Sequence, residues 1–109
     1  MIVKVTQYGY PGDPDADTNT LSLLGFANNR LDVNSCALTL SSCDGLGIGH
    51  KDHVWIRIHF ADGSYIYRRH DDTAPESDPR VDLFMPGGYQ PTMPDMGYAE
   101  IVTPQPWLV

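Results

Sequence analysis

An all-β fold of about six short strands joined by long loops is predicted by three features of the 109-residue sequence. Several segments alternate apolar and polar residues with a period of two, the pattern of a strand with one buried face. No segment sustains a helical period. Loop-forming residues are abundant: 12 Asp against 2 Glu, with 10 Gly and 9 Pro, a bias toward turns and caps rather than helix interiors.

Taken in order, residues 2–8 set Val3 and Val5 against Lys4, Thr6 and Tyr8, which predicts a first strand. The Asp/Pro/Gly/Thr/Asn-rich stretch 9–20 predicts a loop, and 21–26 is a short apolar stretch without a decisive period. Residues 36–41 predict a second strand. The glycines that follow, Gly45, Gly47 and Gly49, leave room for no more than one helical turn. In 53–70, Val54, Ile56, Ile58 and Phe60 alternate with Trp55, Arg57 and His59, Asp62-Gly63 supplies a tight turn, and Ser64 to His70 returns as a Tyr- and Ile-rich strand. A polar stretch, 71–79, leads to a strand over 80–85, a Gly/Pro/Met-rich loop over 86–97, and a last strand over 98–102. Such a series closes into one sandwich or barrel, a single domain spanning 1–109.

With 14 acidic residues against 7 Lys and Arg, the formal charge is −7. That balance excludes a phosphate-backbone partner, which requires a basic stripe, so no nucleic acid is expected. No apolar run approaches the ~20 residues of a membrane span. The first residues carry no charged segment followed by an apolar one, so no signal peptide is expected.

Cys36 and Cys43 are close enough in sequence for a disulfide and equally compatible with two free thiols. Two thiols alone make no metal centre, and His50-x-x-His53 reads, like His59 and His70, as surface histidine. Asp13-x-Asp15-x-Asp17-x-Asn19 begins like a Ca²⁺ loop. Thr18 stands where the sharp-turn Gly belongs and Leu24 where the closing Glu belongs, so a true EF-hand is rejected and a solvated acidic loop is favoured over the alternative of a loose Ca²⁺ site. No metal or other cofactor is expected.

The chemistry points to carboxylates. Alternation puts Val81 and Leu83 on one face and Asp82 on the other beside Phe84, where burial would raise its pKa toward that of a general acid. Asp71 and Asp72, about ten residues earlier, supply further carboxylates able to orient a substrate or influence a neighbour's proton, and two acids flanking a sugar bond are the usual glycosidase apparatus. Tyr and Trp side chains, with Tyr89 and Trp107 foremost, could stack on sugar rings, although aromatics in strands more often pack across strands. Arg57, Arg68 and Arg69 form a small basic group expected to pair with nearby Asp.

Asp72-Thr73 followed by Arg80-Val81-Asp82-Leu83-Phe84 resembles the signature of the three-aspartate (3D) domain family. Val5-Thr6-Gln7-Tyr8 is similar to that family's opening strand, and Ala37-Leu38-Thr39 with Leu46-Gly47 to Val54 to its middle portion. The resemblance runs over about residues 3–103. It implies a six-stranded double-psi β-barrel with an open cleft, the barrel also of membrane-bound lytic transglycosylase A, expansins and family 45 glucanases. It further implies cleavage of peptidoglycan or another polysaccharide, with Asp82 as catalytic acid and base, Asp72 as its support, and Thr6 and Tyr8 lining the cleft; Asp71 is added as a candidate substrate contact. An extracytoplasmic place of action (periplasmic, secreted or phage-borne) would follow. Three departures stand out: Thr39 falls where the first of the three aspartates belongs, Ala74-Pro75 replaces the Gly-Gly after Asp72-Thr73, and the 9–20 and 86–97 loops differ. They keep open a barrel that binds glycan without cutting it, or an interaction protein of a phage or secretion particle.

Overall fold

A computed structural model describes residues 1–15, 25, 29–103 and 105. Six strands form a closed barrel: β1 (Ile2–Tyr8), β2 (Ser35–Thr39), β3 (Trp55–His59), β4 (Tyr65–Ala74), β5 (Arg80–Phe84) and β6 (Met96–Ile101). One helix, α1 (Leu40–Leu46), follows β2. Around the barrel the order is β1-β5-β2-β4-β3-β6, with β6 closing onto β1. Two neighbouring pairs are parallel, β1 with β5 and β2 with β4; the other four are antiparallel.

The period-two pattern explains the core. Val3 and Val5, Cys36 and Leu38, Ile56 and Ile58, Val81 and Leu83, and Ala99 all point inward and are buried. Each fully buried Val, Leu or Ile contributes about 1.5–3 kcal/mol. The β3–β4 hairpin turns where Asp62-Gly63 is found: Gly63 has φ +88° and its N–H donates to the Phe60 carbonyl at 3.1 Å. An L side chain would be strained in that left-handed conformation.

Four sequence expectations are corrected. The second strand ends at Thr39, and residues 40–46 form a seven-residue α-helix where no more than one turn was expected. Tertiary contacts outweigh the glycines. The Thr39 hydroxyl caps the helix by accepting from Ser42 N, Ser42 and Cys43 are buried, and Gly47 ends the helix in the left-handed region. Gly45 lies under the flexible end of the Met1 side chain, which a Cβ there would have to displace. Second, β4 continues through Asp71 and Asp72 to Ala74, since these residues pair with β2 rather than leaving the sheet. Third, His70 is not at the surface: it is buried, with Nδ1–H donating to the Asp52 carbonyl at 2.6 Å and burial lowering its pKa. The last strand is also displaced by two residues, beginning at Met96. Cys36 and Cys43 are both buried free thiols, so the disulfide alternative is removed.

Candidate active site

The outward-facing side of β1, β5, β2 and β4 carries the candidate chemistry. Residues directly opposite one another on neighbouring strands share a face. Thr6 on β1 is opposite Asp82 on β5, Asp82 is opposite Ala37 on β2, and Ala37 is opposite Asp72 on β4. The result is one transverse row, Thr6–Asp82–Ala37–Asp72, crossing four strands. At about 4.8 Å per strand, the Cα atoms of Asp82 and Asp72 stand about 10 Å apart with only the methyl of Ala37 between them. All four residues line a cleft of about 470 Å³, walled further by Tyr8, Tyr10, Asp13, Asp15, Glu76 and Arg80.

Asp72 reaches this row because β4 is irregular. The register against β2 runs His70 opposite Cys36 and then Asp72 opposite Ala37, skipping Asp71. His70 is buried toward the core, so unbroken alternation would send Asp72 inward as well. The extra residue reverses the phase of the strand and turns Asp72 outward, as β-bulges characteristically re-aim side chains.

Asp82 is partly buried, and its pKa is raised to about 6. The main cause is loss of water around the carboxylate, reinforced by the charges of Asp13 and Glu76. A hydrogen bond from the Thr6 hydroxyl to Asp82 Oδ1, 3.0 Å long, and the charge of Arg80 act in the opposite direction. Asp72 is held at both oxygens: Oδ2 accepts from the Tyr8 hydroxyl at 3.2 Å and Oδ1 from Thr73 N at 2.9 Å. Burial pushes the Tyr8 phenol far above its ordinary range, so it stays a neutral donor. Its ring packs on Phe84 with centroids 5.4 Å apart. Two acids thus face one cleft in different surroundings, one protonated near pH 6 and one fixed by two donors.

The structure brings Asp82, Asp72, Thr6 and Tyr8 together and separates Asp71 from them. Asp71 does not line the cleft; its side chain is fully shielded from solvent. Its Oδ2 accepts from Ser35 Oγ at 2.6 Å and Arg69 Nε at 2.8 Å, and Oδ1 lies 2.7 Å from His53 Nδ1. Asp71 therefore anchors the bulge that aims Asp72, in place of the expected substrate contact. Thr39, where the family's first aspartate would fall, is buried; its Oγ1 donates to the Asp78 carbonyl at 2.6 Å and accepts from Arg80 N at 3.2 Å, fixing the start of β5.

Asp13 Oδ2 accepts from Gly9 N at 2.7 Å and Oδ1 from Asp15 N at 3.0 Å, so both oxygens already serve the local turn. Asp17, Asn19 and Leu24, the rest of the weighed Ca²⁺ loop, lie outside the described residues, as do 21–24 and Trp107. Among the described residues no group of three or more His, Cys, Asp or Glu is arranged to hold a metal ion. No helix among them is long and apolar enough to cross a membrane.

Sequence reasoning did not single out Ala37, Glu76 or Arg80 as contributors to the cleft. Ala37 could have been found from its place between the core residues Cys36 and Leu38, which marks it as outward-facing and small. No family model, no curated protein and no solved structure matches this chain.

Proposed function

We propose that this protein cleaves a glycan, with peptidoglycan as the substrate, in the manner of a lytic transglycosylase. The observation that carries the reading is the row Thr6–Asp82–Ala37–Asp72, which sets a carboxyl protonated near pH 6 across a gap from a second carboxylate. Protonated Asp82 would donate to the glycosidic oxygen as the C1–O bond breaks, leaving positive charge on the sugar ring. The carboxylate of Asp82 would then take the proton of the sugar's own 6-hydroxyl as its oxygen bonds to C1. One residue acts in turn as acid and base, and no water enters the product. Asp72, positioned by Tyr8 and Thr73, would favour the developing charge or hold the neighbouring sugar. The same reading takes the barrel as double-psi, supported by its two parallel strand pairs, and places the action outside the cytoplasm, where peptidoglycan lies.

Digestion of purified peptidoglycan, with the soluble products weighed by mass spectrometry beside an Asp82→Asn control, tests this. Anhydro-muropeptides from wild type alone are the expected result. Hydrated products dependent on Asp82 would replace ring closure by hydrolysis, and no products would remove peptidoglycan cleavage. A second reading, a barrel that binds glycan without cutting it, is favoured by one observation. The cleft carries Asp13, Asp15 and Glu76, while its cation Arg80 lies 3.5 Å from Glu76 Oε1 and 3.2 Å from Asp78 Oδ2. Such a field repels an anionic wall polymer.

A further inference from the structure

Of the three arginines on the β3–β4 hairpin expected to pair with Asp, Arg69 does so and Arg57 pairs with a Glu. Arg69 donates from Nε to Asp71 Oδ2 at 2.8 Å and from Nη2 to Asp32 Oδ2 at 2.7 Å. Arg57 Nε donates to Glu100 Oε1 at 2.9 Å. Arg68 is different. Among the described residues it pairs with no carboxylate, and its hydrogen bond runs from Nη1 to the Tyr67 carbonyl at 2.7 Å. Its Nε is covered by protein and meets no acceptor. The position is also unusual. Arg68 is opposite Ile56 on β3 as Ile66 is opposite Ile58, and both β3 residues belong to the core. Residues 66, 68 and 70 therefore share the inward face of β4, and Arg68 holds a place that the alternation reserves for an apolar side chain. Carboxylate partners hold the pKa values of Arg57 and Arg69 up, whereas burial pushes that of Arg68 down.

A half-buried cation without a counter-charge is costly, and proteins ordinarily supply the partner themselves. Here the guanidinium forms part of the wall of a pocket of about 210 Å³, completed mainly by Val33, Phe84, Met85 and Pro86. None of these residues lines the acidic cleft. Gly87 and Gly88 leave the mouth clear, since a Cβ on either would meet nothing within 4 Å. The lining decides what fits. The guanidinium calls for an anion, and its planar fork suits a carboxylate. One cation neutralises one negative charge, and a protein carrying −7 disfavours anything more highly charged. The four apolar walls call for an apolar body beside that charge. We propose that Arg68 and this pocket bind a small monocarboxylate with an apolar body, whether a free acid or the C-terminal residue of a peptide. The site is separate from the cleft and goes beyond the glycan-cleaving reading, which stands or falls on its own test.

Titration of the ¹⁵N-labelled full chain with N-acetyl-leucine, followed by NMR, tests the site. Saturable shifts are expected at the amides of Met85, Gly87 and Gly88 and at the Arg68 side chain. N-acetyl-leucinamide, which has the same body without the charge, should bind about tenfold more weakly or worse. Acetyl-Gly-Gly-Leu distinguishes the sources: tighter binding than N-acetyl-leucine assigns the pocket to a peptide end, and weaker binding to a free acid. Arg68→Met should abolish the saturable shifts and melt no lower than wild type, because it removes an unpaired charge and keeps the apolar stem. Should that variant fail to fold, Arg68→Lys serves; it keeps the charge without the fork and should bind several-fold more weakly. The proposal is overturned by the absence of saturable shifts, by equal binding of the amide, or by binding unchanged in the Arg68 variant. Inorganic phosphate binding as tightly as N-acetyl-leucine also overturns it, since the apolar walls would then contribute nothing.

Discussion

Replacing Asp82 by Asn should stabilise the protein, and only at pH values where the aspartate is forced to ionise. In the folded state the carboxyl titrates at about 6, against its ordinary value of 3.8. The folded form therefore holds the proton more tightly than the unfolded chain. Stability from this source is complete below pH 3.8 and is lost as pH rises to 6 and beyond. At about 1.36 kcal/mol per pH unit the difference sets a ceiling of about 3 kcal/mol. The side chain keeps some contact with water, so about 1.5–3 kcal/mol is the fair range. For a domain of this size that is a Tm higher by about 6–12 °C in the variant at pH 7.5. Asn keeps an oxygen for the Thr6 hydroxyl, so the 3.0 Å hydrogen bond survives. Thermal melts of both proteins from pH 3.5 to 8 would show two curves that converge at low pH and separate through pH 4–6. A constant gap across that range, or a variant less stable at pH 7.5, would refute the claim that burial is the main force holding the proton on Asp82.

Four other outcomes are expected. If the cleft cleaves, kcat/KM should fall above about pH 6 as Asp82 loses its proton, and a flat profile from pH 5 to 8 would remove it as the acid. Ala37→Leu should block glycan binding in the cleft by filling the gap between the two carboxylates and, because Ala37 is buried, cost about 1–3 kcal/mol of stability, checked by calorimetric titration beside urea melts. Asp71→Ala should cost about 3–5 kcal/mol in urea unfolding, because Ser35 and Arg69 lose a shared buried partner. Thr39→Ala should cost about 1–2 kcal/mol in the same assay, since one hydroxyl both caps α1 and ties down β5.

The strands were legible because their information is local. Val81-Asp82-Leu83 states its own two faces, and Asp62-Gly63 states its own turn. What stayed hidden depends on pairing between distant segments. Nothing in Arg69-His70-Asp71-Asp72 announces a bulge, which exists only against Cys36-Ala37, so Asp71 and Asp72 both read as carboxylates open to a substrate although one becomes an interior anchor and the other a cleft wall. Helix α1 was obscured similarly. Its glycines argue against a helix, and only the Thr39 cap, the burial of Ser42 and Cys43 and the left-handed Gly47 at its end reverse that argument. Tyr65, His59 and Tyr98 were visible only as scattered rings until the β3–β4 and β3–β6 registers put them in one row.

The position of β1 in the barrel order governs when the cleft can exist during synthesis. This strand leaves the ribosome before the others, yet its two neighbours are β5 and β6, the last strands to be made. Val3 and Val5 must remain without sheet partners until residues 80–101 have emerged, a long-range closure of the kind that makes folding slow. Thr6 meets Asp82 only at that closing step, so a nascent chain has no assembled acid site. Partly synthesised chains would also expose an unpaired apolar strand, the kind of surface that promotes aggregation.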